Sequence, residues 1–175
     1  MRLGELNALP PDRAVPELLS CCGSTRWARE MAARRPFANM EAIGAEAGKI
    51  WHGLGPGDWL EAFVAHPRIG ERSPTRWSSE EQGGVASASA ATRARLDAAN
   101  REYEARFGFI FIVCATGKSA DEMLASVHQR MTHSRDEEWR IAAEEQRKIT
   151  RVRLAKLLGE PDSVPGSNLA LTPKH

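Results

Sequence analysis

The chain has 175 residues, the usual size of one compact domain, and at that length roughly two thirds of the unfolded surface can be buried without a disulfide or metal staple. Its 24 Lys and Arg nearly cancel 23 Asp and Glu and interleave with them, as from Arg135 to Lys148, which argues against a nucleic-acid partner. Three cysteines, an odd count with Cys21 beside Cys22, do not make a secreted disulfide framework and point to a reducing cytoplasm.

Met1 to Pro10 lacks the basic start and apolar run of a secretory signal, so the chain is expected to be soluble and unprocessed. Ser24 can cap a helix carrying Trp27 and Met31, which must stop ahead of Pro36. Asn39 caps the next, with Met40, Ile43, Ala47, Ile50 and Trp51 on one side and Gly55-Pro56-Gly57 as its stop. Asp58 opens a segment to Ala65 that turns Leu60, Phe63 and Val64 toward a core and ends because Pro67 disfavours a helical His66. The stretch from Arg68 to Arg76 reads as a surface loop. A helix then starts at Ser78 or Ser79, each with the capping-box spacing to Glu81 or Gln82.

Beyond Gly83-Gly84, a long helix from about Ala90 to Phe107 aligns Leu96, Ala99, Tyr103 and Phe107, with Gly108 as its carboxyl cap. Phe109 to Cys114 is uninterruptedly apolar and on pattern alone favours a short buried strand, although no partner strand is evident. The run to Ala115 is too short to span a bilayer. Ser119 with Glu122 caps a helix burying Met123, Leu124, Val127 and Met131. Ser134 with Glu137 caps the last, which runs to about Leu158, partly buries Trp139, Ala142, Ile149, Val152 and Leu157, and stops at Gly159. Residues 1–160 thus read as one domain, and 161–175 as a flexible tail.

Chemistry needs a titratable group in context. His66 gains or loses a proton near neutral pH, but a lone histidine at a helix end is as readily a cap or a solvated residue. Glu81 and Gln82 can bind a polyamide ligand, or simply cap their helix. Phe109 to Cys114 reads as core, and Cys114 as a small buried hydrophobe. Arg153 can hold a carboxylate through its planar fork, or be merely solvated. His52, His66, His128 and His133 share no metal-ligand spacing, and the chain has no GxGxxG, Walker or GxSxG motif. An enzyme built from this chain would work with side chains only.

Several segments occur in a telling order: Pro36-Phe37-Ala38-Asn39-Met40, Trp59-Leu60-Glu61-Ala62-Phe63 leading into His66-Pro67-Arg68-Ile69-Gly70, Ser78 to Gln82, Asn100 with Tyr103, and Phe107-Gly108-Phe109-Ile110-Phe111. This set, spanning about Leu18 to Leu158, resembles the OHCU decarboxylase family, which acts on 2-oxo-4-hydroxy-4-carboxy-5-ureidoimidazoline to give (S)-allantoin in urate degradation. The resemblance implies an all-α fold, a single compact multi-helix domain with a short irregular apolar segment at the pocket. It also implies a homodimer, a small-molecule substrate, no metal and no organic cofactor, with no membrane or nucleic-acid partner. His66 matches the family's catalytic histidine, and Glu81, also placed in the catalytic set, matches with Gln82 the polar pair that binds the ring and ureido groups. Pro67, Ser78, Gln82, the backbone of Phe111, Ile112, Val113 and Cys114, and Arg153 match substrate-binding positions. The chain ends Thr172-Pro173-Lys174-His175, without a peroxisomal address, so a cytoplasmic setting is expected.

The chemistry fits such a set. Conjugated C=N and carbonyl groups of the ring can accept the electrons left when carbon dioxide departs, so the protein need only orient the substrate and deliver a proton. On this reading His66, as acid, protonates the decarboxylated carbon, and Glu81 raises the imidazole's pKa or grips the substrate hydroxyl. A non-catalytic helical ligand-binding module and a hydrolase of a related ureide are the alternatives.

Overall fold

Helix dominates because the apolar residues recur at helical spacing, and five of the ten helices described below begin with a side chain that caps the exposed amides. The computed structural model describes residues 1–70 and 76–159, without the side chains of Arg76, Ser78 and Ser79. Among the described residues there are ten helices: α1 (Leu3–Ala8), α2 (Pro11–Cys21), α3 (Thr25–Ala33), α4 (Met40–Gly53), α5 (Pro56–Val64), α6 (Arg76–Glu81), α7 (Gly83–Ala86), α8 (Ala90–Phe107), α9 (Ala120–Arg130) and α10 (Arg135–Leu158). The tail expected at 161–175 lies outside the described residues.

The caps act where the sequence puts them. Ser24 accepts from the Trp27 amide at 3.3 Å and Asn39 from that of Ala42 at 2.8 Å. Ser119 and Ser134 make reciprocal capping boxes with Glu122 and Glu137. Gly108 and Gly159 end α8 and α10 at φ +81 and +66, where a side chain would be strained.

Four local expectations change. Helix α5 starts at Pro56, whose missing amide hydrogen costs nothing in a first turn, and Asp58 accepts back from the Gly55 amide at 3.2 Å. Its buried face carries Ala62 and Phe63, which turns Leu60 (41% exposed) and Val64 (73%) outward instead of into the core. Helix α6 is described over Arg76–Glu81, so the backbone of Ser78 and Ser79 lies inside a helix instead of opening one. Finally, no strand forms at Phe109 to Cys114: the segment is irregular, and among the described residues no strand pairs with it.

The long α10 packs against α2, α4 and α5, while α8 packs on α9. Phe63, Phe109 and Trp139 stack edge to face or tilted at 5.1–5.7 Å, joining α5, the irregular segment and α10. Trp51 of α4 donates its indole hydrogen to the Ala143 carbonyl of α10 at 2.9 Å. At the α2–α3 link, Gly23 faces the end of α5 so closely that a Cβ there would stand 2.4 Å from that of Ala65, the residue before His66. Gly23→Ala is therefore expected to destabilise the fold by about 1–3 kcal/mol. Thermal unfolding checks this as a fall of about 2–4 °C per kcal/mol, and an unchanged midpoint would contradict it.

Candidate functional site

His66 sits where α5 gives out. Its amide closes a last turn on the Phe63 carbonyl at 3.1 Å, and Pro67 redirects the chain. The turn that follows is tied to α8: Asn100 donates to the Ile69 carbonyl at 2.8 Å, and Arg68 pairs with Glu104 at 2.7 Å. Gln82 closes the other side, accepting from the Gly70 amide at 2.7 Å and donating to the Arg68 carbonyl at 3.5 Å. In this state its amide holds the turn.

Glu81, at the end of α6, meets Arg153 of α10 in a two-pronged ion pair, Nε to Oε1 at 2.9 Å and Nη2 to Oε2 at 2.8 Å. Both side chains are 10% exposed, so this pair is far less screened than a surface bridge. Arg151 is exposed and lines a different groove, so Arg153 is the arginine beside the histidine.

The imidazole is partly buried, with Nε2 2.6 Å from Oε1 of Gln146. Desolvation, reinforced by the Arg153 guanidinium, lowers its pKa to about 4 against the hydrogen bond to Gln146 and the charge of Glu81. Glu81 pulls upward, as expected of it, but burial and Arg153 outweigh it and the net shift is downward. At neutral pH His66 is uncharged.

Seven expected site residues line one small cavity: His66, Pro67, Glu81, Gln82, Phe111, Ile112 and Val113, with Ile69, Ala115 and Ile149. Its volume is about 20 Å³, so a ring-sized ligand needs its walls to move. Arg153 stands behind Glu81, and Cys114 lies outside the lining. The side chain of Ser78 lies outside the described residues. A groove of about 510 Å³ between α4 and α10 is larger but holds none of these groups. No group of three or more His, Cys, Asp and Glu that could hold a metal ion occurs among the described residues.

Other residues shape the cavity and were not expected. The Ile112 carbonyl accepts from Arg130 at 2.6 Å, and the Cys114 amide donates to Glu145 at 2.7 Å, so two helices suspend the irregular segment by its backbone. Arg130 in turn is held by Glu138, at 2.8 Å from the fully buried carboxylate, which Tyr103 and His133 also contact. Burial pushes Glu138's pKa up, but the hydrogen bonds from Arg130, Tyr103 and His133 outweigh it and hold the carboxyl below its ordinary range. Acid residues at Glu138 and Glu145, seven apart in α10 and flanking Ala142, were the available signal.

These shifts make stability pH-dependent. Between about pH 6.5 and 4 the unfolded chain binds a proton at His66 that the folded chain refuses, so stability falls as pH drops through that window. Urea unfolding at pH 7 and pH 5 should show a loss of about 2 kcal/mol that His66→Asn lacks. Equal losses in both proteins would contradict the buried, neutral imidazole.

Comparison with known proteins identifies the family. The family model for OHCU decarboxylase matches residues 7–155. The chain is 40% identical over 153 residues to the uric acid degradation bifunctional protein TTL of Arabidopsis thaliana, covering 82% of this chain but 47% of that protein, about half its length. It is 26% identical to the 2-oxo-4-hydroxy-4-carboxy-5-ureidoimidazoline decarboxylase of Haloferax volcanii, covering 89% of this chain and 95% of the relative. A crystal structure of OHCU decarboxylase in the presence of (S)-allantoin superposes with a TM-score of 0.75 at 39% identity, covering 82% of this chain and 98% of that one. With the family model matched across most of its length, the chain belongs to the OHCU decarboxylase family.

Proposed function

We propose that this chain decarboxylates 2-oxo-4-hydroxy-4-carboxy-5-ureidoimidazoline to (S)-allantoin without a cofactor, with His66 as the proton donor. The observation that carries the proposal is that His66 lines one cavity with Glu81, Gln82, Phe111, Ile112 and Val113, in a chain of this family. Family relatives named for this substrate, and a similar structure determined with (S)-allantoin, support the same reading.

The reaction has a definite proton balance. The bond between the ring carbon and its carboxylate breaks, and its electron pair moves into the adjacent ring C=N, whose nitrogen takes a proton from water. An enol remains. Allantoin forms when the hydroxyl proton leaves oxygen and a proton arrives on the neighbouring, ureido-bearing carbon. That carbon, rather than the one that lost carbon dioxide, becomes the stereocentre. A neutral imidazole serves both halves: it takes the hydroxyl proton, and the imidazolium so formed, strongly acidic in this desolvated site, gives a proton to one face. Glu81, Gln82, Pro67 and Ser78 hold the ring and ureido groups, Gln82 exchanging its bonds to Arg68 and Gly70 for bonds to substrate. Arg153, paired with Glu81, orients it from behind and adds positive potential toward the substrate's carboxylate. The family resemblance also supports a homodimer in the cytoplasm, which sedimentation equilibrium checks as twice the 19.3 kDa chain mass.

The test generates substrate in place by oxidising urate and follows the circular dichroism of the allantoin formed. The wild-type chain should speed its appearance and give the (S) form. His66→Asn should lose about 10²- to 10⁴-fold of that acceleration, and the stereochemical bias, while keeping its helical spectrum. An active, stereoselective variant would sink the assignment, and a wild-type chain without acceleration would favour the binding module.

A further inference from the structure

Gln146 is wholly buried on α10, and its amide meets two partners: Oε1 lies 2.6 Å from His66 Nε2, and Nε2 lies 3.2 Å from Thr150 Oγ1. Thr150 Oγ1 also lies 3.0 Å from the Gln146 carbonyl one turn back. A carbonyl only accepts, so the single hydroxyl hydrogen of Thr150 goes there. The remaining lone pairs of Oγ1 accept from the Gln146 amide, which turns Oε1 toward His66. Since Oε1 also only accepts, the hydrogen between it and the imidazole belongs to His66 Nε2. A flipped amide would keep only two of these three hydrogen bonds, at a side chain that is wholly buried. The other imidazole nitrogen, Nδ1, makes no hydrogen bond among the described residues.

The geometry points to Gln146, backed by Thr150, as the positioning residue that fixes His66 in its Nε2–H tautomer and leaves Nδ1 to handle the substrate's proton. Only the last clause rests on the proposed reaction. The charged groups facing the imidazole are Arg153 and Glu81, which pair with each other. Cys22, the thiol beside Thr150, is pushed up to about 11 by burial and stays protonated, so it does not disturb the relay near neutral pH. Gln146 carries no charge of its own. It sets which nitrogen is basic without paying a carboxylate's desolvation or raising the imidazole's pKa as an acid would.

The test uses the full chain and nitrogen-15 NMR of the imidazole, with His66 assigned by its absence in His66→Asn. In the wild type the hydrogen should sit on Nε2 in a single tautomer, with a titration midpoint near 4. Gln146→Leu should give a mixture of tautomers, and kcat lower by about tenfold or more with KM within about twofold. Gln146→Glu, which keeps an acceptor and so guards against a misfolded leucine variant, should keep the tautomer but move the midpoint well upward, and with it the pH below which activity fails. A wild-type hydrogen on Nδ1, or a folded leucine variant with wild-type tautomer and kcat, would overturn the assignment. So would a glutamate variant whose midpoint stays in place. Tautomers as expected in proteins that never accelerate the substrate would leave Gln146's role standing and defeat the proposed reaction instead.

Discussion

Glu138, Glu145, Gln146 and Arg153 lie on the inward side of α10, and a polar group shut away from water costs about 1–3 kcal/mol unless something bonds to it. Each is met by a different part of the cavity wall. Glu138 fixes Arg130, which holds the Ile112 carbonyl; Glu145 takes the Cys114 amide; Gln146 meets His66; Arg153 locks Glu81. Segments far apart in the chain are thus drawn to one helix by the need to satisfy it. The partners are not interchangeable, since each pairs a donor with an acceptor at a set height along α10, and this gives the wall its register.

The same burial that demands partners also sets the chemistry. Protein atoms around His66 remove the water that would stabilise an imidazolium, and Arg153 adds repulsion, so the ring waits neutral. A histidine in that state is poor at holding a proton and good at passing one on. Glu81 would work against this if it stood alone. Locked to Arg153, its charge is largely answered, with Glu81 lining the cavity and Arg153 behind it. The cavity is tight in this state, with Gln82 bonded to the turn that carries Pro67 and Ile69. On the proposed reaction, ligand entry trades these protein–protein hydrogen bonds for protein–ligand ones.

Local signals made most of the helices legible. Ser24, Asn39, Ser119 and Ser134 announced their helices because a cap acts within four residues, and Gly108 and Gly159 announced ends because only glycine is at ease at positive φ. The failures needed information from elsewhere in the chain. Phe109 to Cys114 has strand composition, but a strand needs a neighbour, and here Arg130 and Glu145 bond its backbone instead. Leu60 and Val64 look like core until the buried stripe of α5 is fixed by Ala62 and Phe63. At the site, His66, Glu81 and Gln82 were readable as an ordered set, not individually. Gln146, Glu138 and Arg130 were passed over because polar residues in a charged helix read as solvated by default. Only burial, a property of the packed whole, shows that they are not.

The proposed chemistry depends on which atoms meet the reacting ring, and a crystal structure of this chain with (S)-allantoin measures that directly. The ureido-bearing carbon should lie on the Nδ1 side of His66 at about 3–3.5 Å, with the ureido group against Glu81 and Gln82 and the ring beside the Phe111–Val113 backbone. Allantoin seated in the groove between α4 and α10, or approaching His66 only from the Gln146 side, would contradict it.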